Sequence, residues 1–463
     1  MKLKIPDTLI LILIILCVFI SLTWVIPAGE FDYGNFEGRK TAIPGTYHEL
    51  ERSPQGLVAL FTAPIKGFVS AARIIGFCFL VGGAFGILIA SGAINAGLFR
   101  VIRRGEKKRH MKQWILVLIM LFFSVSGATF GMSESVLVFI MITVPLAIAM
   151  GYDSIVGICI SFLAAGVGFA GALTNPFTIG IAQGISEIAL FSGWEYRLVI
   201  WLLLTTVAIL FVLRYARKIE KDPRKSPVYE IDQQRDKAAF ADSEKIPDFT
   251  LRRKMIILLL FLAILLLVIG SNVWKWYINE ISAVFLGLGV MTAIVAGMKA
   301  SHASRAFVDG ARGMLMAALI IALSKGLLVV ATDGKIIDTM LNGIAGATEK
   351  LPGIISAEMM FLFQGILNFF IPSGSGQAAL AMPIMAPLAD ILGITRQTAV
   401  LCFQMGDGIF NMIIPTSGVT MGVLSIAEIP YQKWFKWVLP FTLLLIVLVF
   451  LILIPPMMLF DYQ

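Results

Sequence analysis

Three ionisable side chains sit inside otherwise apolar stretches of the sequence: Glu134 in "GMSES" (131–135), Asp407 in "QMGDGIFN" (404–411) and Lys325 in "ALSKGLL" (322–328). A charge in such surroundings is costly and by default marks a solute pathway, a counter-ion or a proton relay. A buried Lys325–Asp407 pair is the plain structural alternative. Asp407 and Asn411 are one helical turn apart and would share one face, offering a carboxylate beside an amide. Neutral oxygens surround these groups in the sequence. The hydroxyls of Ser133, Ser135, Thr174, Ser373, Ser375, Thr416 and Ser417 and the amide of Asn175 are candidate ligands for a small hard cation such as sodium. Ser133, Glu134, Asn175, Ser375, Gln377, Asp407 and Asn411 are the candidate substrate contacts. No organic cofactor and no metal other than sodium is implied.

These residues gather at four places where Pro and Gly interrupt apolar sequence: "GMSES" (131–135), "LTNPF" (173–177), "PSGSGQ" (372–377) and "IPTSG" (414–418). Each interruption breaks the helical hydrogen-bond ladder. It leaves short helices whose N–H ends favour an anion and whose freed carbonyls suit a cation. Broken backbone at membrane depth survives only where protein or a water-filled cavity satisfies it.

The elements that must carry these breaks span a membrane. The chain has 463 residues, is 58% hydrophobic and 14% charged, and residues 9–26, 255–269 and 438–454 are apolar on every face. A soluble fold is excluded. Residues 9–26 exceed a signal-peptide core and lack a small-x-small cleavage site, so they read as a retained first span. Cys17, Cys78, Cys159 and Cys402 lie in apolar segments without paired spacing and read as packing residues. The net charge of +8 resides in loops: residues 100–112 hold seven Lys and Arg, and residues 214–254 hold twelve against eight acids. Both therefore belong on the cytoplasmic side, and nucleic acid is not the partner.

Threaded this way, the N-terminus is cytoplasmic, residues 28–55 are external, and residues 57–99 are too long for one simple span. A re-entrant hairpin over about 113–150 enters from the cytoplasm and turns at Ser133–Ser135, and a broken helix over 154–184 follows. The first repeat is 1–213 and the cytoplasmic linker 214–254. The second repeat is 255–463, with a hairpin over about 358–392 entering from outside, its tip at Ser373–Gln377, and a broken helix over 397–425. The C-terminus is external. The fold class is an all-α membrane protein of inverted repeats, with about nine transmembrane helices and two re-entrant hairpins.

The repeat itself rests on a constant offset. Adding 242 to Gly92, Ile94, Ser133, Pro145, Gly151, Thr174 and Thr178 gives Gly334, Ile336, Ser375, Pro387, Gly393, Thr416 and Thr420. Residues 281–297 form an apolar span where 39–55 form a polar loop, and one extra crossing inverts everything after it. Asp407 and Asn411 meet Ala165 and Phe169, so the carboxylate belongs to one repeat only.

The stretch "SGSGQAALAMPIMAPLADILGITRQTAVLCFQMGDGIFNMIIP" (373–415) resembles the second hairpin and following broken helix of the AbgT transporters. Over nearly its full length the chain is similar to the neighbouring DcuC/YfcC-type carriers of the ion transporter superfamily. The resemblance implies a homodimer in the cytoplasmic (inner) membrane with a scaffold and a mobile transport domain. It further implies an elevator-like motion driven by sodium or protons, and a carboxylate-bearing substrate: a C4-dicarboxylate, an acylated amino acid or an amino acid. Related dicarboxylate–sodium symporters carry Ser-Asn-Thr at equivalent breaks, which "LTNPF" and "IPTSG" only approximate.

Two interior acids would repel a dianion and welcome an ammonium group, which favours an amino acid or small peptide over a dicarboxylate. A C4-dicarboxylate or basic amino acid exchanger without ion coupling is the alternative. A channel remains a further reading. An intramembrane protease is the remote one: His48, His110 and His302 fall in loops, and the aspartates that a paired mechanism would need are Asp153 and Asp407.

Overall fold

A computed structural model describes residues 8–36, 39–43, 45–94, 96–97, 109–241, 249–274, 276, 278–348, 353–458 and 462. The basic stretch 100–108 and residues 242–248 of the linker lie outside the described residues. Within them, seven helices are long and apolar enough to cross a membrane, as expected of a multi-pass membrane protein. Two of the seven, Met111–Thr129 and Gly353–Phe370, are arms of hairpins. The architecture is helical apart from two small antiparallel sheets in the 28–55 loop, which the all-α reading did not anticipate. There Gly29–Glu30 pairs with His48–Glu49, and Tyr33–Phe36 with Arg39–Ala42. That loop is anchored on the second repeat, where Asp338 Oδ2 accepts from Phe31 N at 3.1 Å and from Tyr33 OH at 2.6 Å.

The puzzling segment after residue 56 resolves into two helices, Leu57–Ser70 and Ala72–Ala90, that meet at Ala71. Their counterparts in the second repeat are Ala300–Gly313 and Leu315–Asp333. Each short helix crosses the long helix of the other repeat at small residues. Gly82 and Gly86 meet Ala306 and Gly310, and a Cβ built on Gly86 would lie 2.1 Å from Ala306 O. Ala63 and Gly67 meet Ala322 and Gly326, with the Gly67 position 2.2 Å from Ala322 O. Small residues four apart let two backbones touch where lipid offers no hydrophobic drive for association, so the gain is van der Waals contact. The four helices thus form one interlocked block with a pseudo-twofold relation.

A methyl group at either crossing must push the helices apart. Gly86→Ala and Gly67→Ala are each expected to destabilise by about 1–3 kcal/mol through overpacking. Gly287→Ala, where the added Cβ meets nothing within 4 Å, is expected to be neutral or slightly stabilising. Thermal unfolding in detergent checks the contrast; equal melting temperatures for the three variants would refute these crossings.

Candidate functional site

Both expected hairpins are present. In the first, Arg109–Phe130 runs to a break at 131–135 and returns as Val136–Ala149. The reversal is shown by Lys112 Nζ donating to Met150 O at 3.0 Å and by Phe123 and Phe139 meeting edge to face at 5.0 Å. In the second, Gly353–Phe370 breaks at 371–373 and returns as Gly374–Ile391. Gln377 Nε2 donates across it to Gln364 O (2.9 Å) and Oε1 (2.7 Å). This tip comes two residues earlier than expected, because the helix restarts at Gly374 and takes Ser375, Gly376 and Gln377 into its first turn.

Both broken helices are present too. The first runs through Ser154–Ile158, a π-turn at Cys159–Leu163 and Ala164–Ala170, opens at 171–178 and closes as Ile179–Ile185. The second runs as Arg396–Phe410, opens at 411–417 and closes as Gly418–Ile426. They cross at their breaks. A Cβ on Gly166 would lie 2.7 Å from Met412 Cγ, and one on Gly408 would lie 2.5 Å from Ala170 Cα. Adding 242 to Gly166 and Ala170 gives Gly408 and Met412, so these are one contact made twice across a twofold axis.

Side chains from elsewhere occupy several carbonyls that the breaks set free. Arg197, buried at 1% exposure, donates Nε to Ala172 O (2.9 Å) and its terminal nitrogens to Leu173, Phe191 and Ser192 O. Gln404 Nε2 donates to Phe169 O at 2.7 Å. In the second break Thr420 Oγ1 donates to Asn411 O, Trp434 Nε1 to Met412 O (2.9 Å) and Tyr431 OH to Ile413 O (2.7 Å). Six of the carbonyls at and beside the breaks are thus engaged by side chains.

The tips bracket these breaks. Gly131 lies at φ 67°, a left-handed conformation that glycine accepts readily, and a Cβ there would come within 2.6 Å of the Asn175 amide. A Cβ on Gly374 would lie 2.5 Å from Thr178 Cγ2 and 2.7 Å from Asp407 Oδ2. Asp407 is 0% exposed; its Oδ1 accepts from Asn411 Nδ2 at 2.8 Å, and its Oδ2 is buried without a protein partner. Thr178 Oγ1, Asn175 Nδ2, Gln404 Oε1, Gln377 Oε1, Asn368 Oδ1 and Thr416 Oγ1 are in the same condition. Buried polar atoms are normally paired, and among the described residues these unpaired ones gather around the breaks.

The expected residues divide into groups. Ser133, Asn411 and Ser417 share the wall of a cleft with about 370 Å³ of empty volume, together with Met132, Val136, Phe162, Phe169 and Val419. Asn175 Oδ1 caps Phe177 N (2.9 Å), Thr174 Oγ1 donates to Thr129 O (3.3 Å), and Ser417 Oγ caps Thr420 N (3.4 Å), so these three also hold the breaks in shape. Ser135 and Ser373 stand at the helix N-cap positions of the two tips, and Ser375 lies in the first turn of the returning arm. Gln377 is turned into its own hairpin, against Gln364. Among the described residues no hydrogen bond joins Ser133 or Ser375 to Asn175 or Thr416. Glu134, at the first tip, lies within electrostatic reach of Lys325 and Asp407. Neither Lys325 nor Asp407 makes an ion pair within 4.0 Å among the described residues, which removes the Lys325–Asp407 pair. Asp153 caps the start of the first broken helix through Val156 N (2.9 Å), more than ten residues from its break, so no paired aspartate site exists with Asp407.

Arg197, Thr178, Gln404, Asn368, Trp434 and Tyr431 enter the site without having been singled out for it. Thr178 did stand out as one of the repeat-matched threonines, whereas Arg197 sits at the start of an ordinary apolar helix.

Comparison with known proteins places the chain in a family. The chain matches the family DcuC, described as the C4-dicarboxylate anaerobic carrier, over residues 5–457. It belongs to that family. Among DcuC-like relatives, "Putative basic amino acid antiporter YfcC" of Escherichia coli (strain K12) is 34% identical, covering 93% of this chain and 92% of its own. An uncharacterized protein of Haemophilus influenzae (strain ATCC 51907 / DSM 11121 / KW20 / Rd) is 30% identical over 94% of this chain and 93% of its own. The crystal structure of the Alcanivorax borkumensis YdaH transporter aligns over 98% of this chain and 99% of that one, at 16% identity and a TM-score of 0.41. So slight a structural likeness carries no weight here. As a DcuC family member the chain is a membrane transporter.

Because Gly131 and Gly374 press directly on Asn175 and on Thr178 with Asp407, Gly131→Ala and Gly374→Ala are expected to lower transport at least tenfold. The cost to stability should stay within about 1–3 kcal/mol. Solute uptake measured beside thermal unfolding separates the two effects; unimpaired uptake by both variants would show that the tips do not shape the site.

Proposed function

We propose that this DcuC family protein is a secondary active transporter for a small carboxylate-bearing solute that also carries a cationic amino group, an amino acid. The observation that carries the reading is the cleft. Two helices begin on its wall: Val136–Ala149, at Val136, and Gly418–Ile426, capped by Ser417. The positive end of the helix dipole makes such ends favourable to a carboxylate, although Val136 N, Leu137 N and Thr420 N already donate to Ser133 O, Glu134 O and Ser417 Oγ. On the same wall Asn411 is hydrogen-bonded to Asp407, whose second oxygen has no protein partner and suits an ammonium group.

The relative named as a basic amino acid antiporter and the family described as a C4-dicarboxylate carrier bracket the substrate class from outside. The buried Asp407 favours the amino acid side of that bracket, since a dianion would meet a like charge. Sodium or proton coupling would use the remaining unpaired oxygens of Thr178, Gln404 and Thr416.

The two packed bodies support an elevator-type cycle. The hairpins and broken helices interpenetrate at Gly166, Gly408 and Gly374, while the four helices of the small-residue crossings lock to one another. The first body would move against the second, carrying the cleft across the cytoplasmic membrane as part of a homodimer. The N-terminus and linker would lie inside and the C-terminus outside, consistent with the basic charge of the linker.

Purified protein in liposomes decides the matter, with labelled arginine, a neutral amino acid and a C4-dicarboxylate offered under a sodium gradient, a proton gradient, or an internal load of the same solute. Saturable accumulation of an amino acid is expected. Accumulation of the dicarboxylate alone would reverse the substrate assignment, and fast flux blind to every gradient would indicate a channel. Asp407→Asn is expected to cut amino acid uptake roughly 30-fold or more, as for removal of one partner from a buried charge pair, while leaving the protein folded. Near-normal uptake by that variant would remove Asp407 from the site.

A further inference from the structure

The two broken helices are fastened in the same way on opposite faces of the molecule. Just past the closing helix of each, a glutamate adopts a positive φ: Glu187 at 56° and Glu428 at 49°. Each glutamate meets an arginine that also donates to the carbonyl one residue earlier. On one face Arg396 donates to Ser186 O at 2.9 Å and to Glu187 Oε2 at 3.2 Å. On the other Arg235 donates to Ala427 O and pairs with Glu428 Oε2 at 3.3 Å.

The arrangement is repeated, but the origins of the arginines are not. Arg396 is the first residue of the second broken helix, and the residue 242 positions before it is Ser154, which has no guanidinium. The missing cation comes instead from the segment between the repeats, from Arg235 on the helix Tyr229–Ala241. One turn earlier on that helix, Asp232 Oδ2 accepts from Ser154 N at 2.9 Å, so the same helix holds the start of the first broken helix and the end of the second. The attachment continues on both sides of this pair. Ser226 Oγ donates to Asp153 Oδ2 at 2.6 Å, and Lys433 Nζ donates to Pro227 O at 2.6 Å. Asp232 is 8% exposed, which a free tether would not require.

We infer that the linker helix is a built-in clamp of the transport body, and that Arg235 is a positioning residue doing on its face what Arg396 does on the other. The physical reason is the shortness of Gly418–Ile426, nine residues whose first turn, with Ser417 and Val419, stands on the cleft wall. A helix so short is located by its two ends. Arg235 holds the far end through Nη2, which meets the Ala427 carbonyl and the Glu428 carboxylate together, while Nη1 lies 3.7 Å from Asp232 Oδ1 on its own helix. Loosening that end moves Ser417 and Val419, so solute affinity changes before turnover does. Because both fastenings belong to one body, the clamp stays closed through the cycle; this last step rests on the two-body reading above.

The test uses full-length protein with Cys17 replaced by serine; the other three cysteines are buried. Arg235→Ala is expected to raise KM for the transported amino acid about tenfold with a smaller change in Vmax, and Arg235→Lys to recover part of the loss. In Arg235→Cys/Glu428→Cys, KM is expected to be raised, and to return toward the starting value when a short bifunctional methanethiosulfonate joins the two thiols. An unchanged KM in the alanine variant, or a tether that blocks uptake until reduced, would overturn the clamp. A second readout needs no solute. Amide hydrogen exchange over residues 424–429 should quicken several-fold in Arg235→Ala, and equal rates count against the clamp even if wild-type uptake fails and the transport reading falls.

Discussion

Main-chain groups freed by a helix break have no water to turn to at membrane depth, and the centre of this protein is organised by that requirement. Two breaks cross each other, and the carbonyls they expose are collected by side chains from elsewhere: Arg197 on Ala172 and Leu173, Gln404 on Phe169, Trp434 on Met412 and Tyr431 on Ile413. Once those carbonyls are engaged, the breaks are rigid enough to hold a cleft open beside them. An unsatisfied buried carbonyl costs on the order of 1–3 kcal/mol, so each of these donors is as much a part of the site as the residues facing the solute. Arg197 is the extreme case. Its charge is buried with carbonyls and the hydroxyl of Tyr462 as its recorded partners.

Twofold repetition fixes where the breaks meet but not what they bind. The contacts Gly166–Met412 and Gly408–Ala170 are copies of one another, and so are the small-residue crossings in the block that surrounds them, to within two positions. Chemistry enters where the copies differ. Asp407 and Asn411 stand on the second broken helix where the first has Ala165 and Phe169, and Phe169 packs near the place that Asp407 faces. A single carboxylate is compatible with one solute bound in one orientation, whereas two symmetric ones would have faced each other across the axis and repelled.

Much of this was readable in the sequence, for a reason that shows where reading stops. The breaks announce themselves because Pro, Gly, Ser and Thr are rare in apolar runs, and the repeat announces itself because the same rare residues recur 242 positions on. The hairpin reversals followed, as did the neighbourhood of Ser133, Asn411 and Ser417. The sequence misplaced the second tip by two residues, since Pro372 and Gly374 allow the helix to restart at either. It was silent on Arg197, Trp434 and Tyr431. Each of those lies on a helix of unremarkable pattern and reaches its break through a carbonyl more than fifteen residues away in sequence, a pairing that no local spacing encodes.

The segment between the repeats shows the same limit from the other side. Its Lys and Arg content identified a solvated loop on the basic face, and part of it is instead a helix seated on the ends of both broken helices. Charge alone cannot distinguish these cases, because an arginine in water and one bonded to a helix end contribute equally to composition. On the proposed reading of the chain as two inverted repeats, the second use has a reason. A duplicated unit inserted upside down leaves its two copies with equivalent ends on opposite faces, and only one copy carries an arginine at its own start. The joining segment lies by necessity on the face where that arginine is lacking, within reach of Ser154 and Ala427. A chain that has to pass there can complete the fastening with one turn of helix, which makes the linker part of the machine it connects.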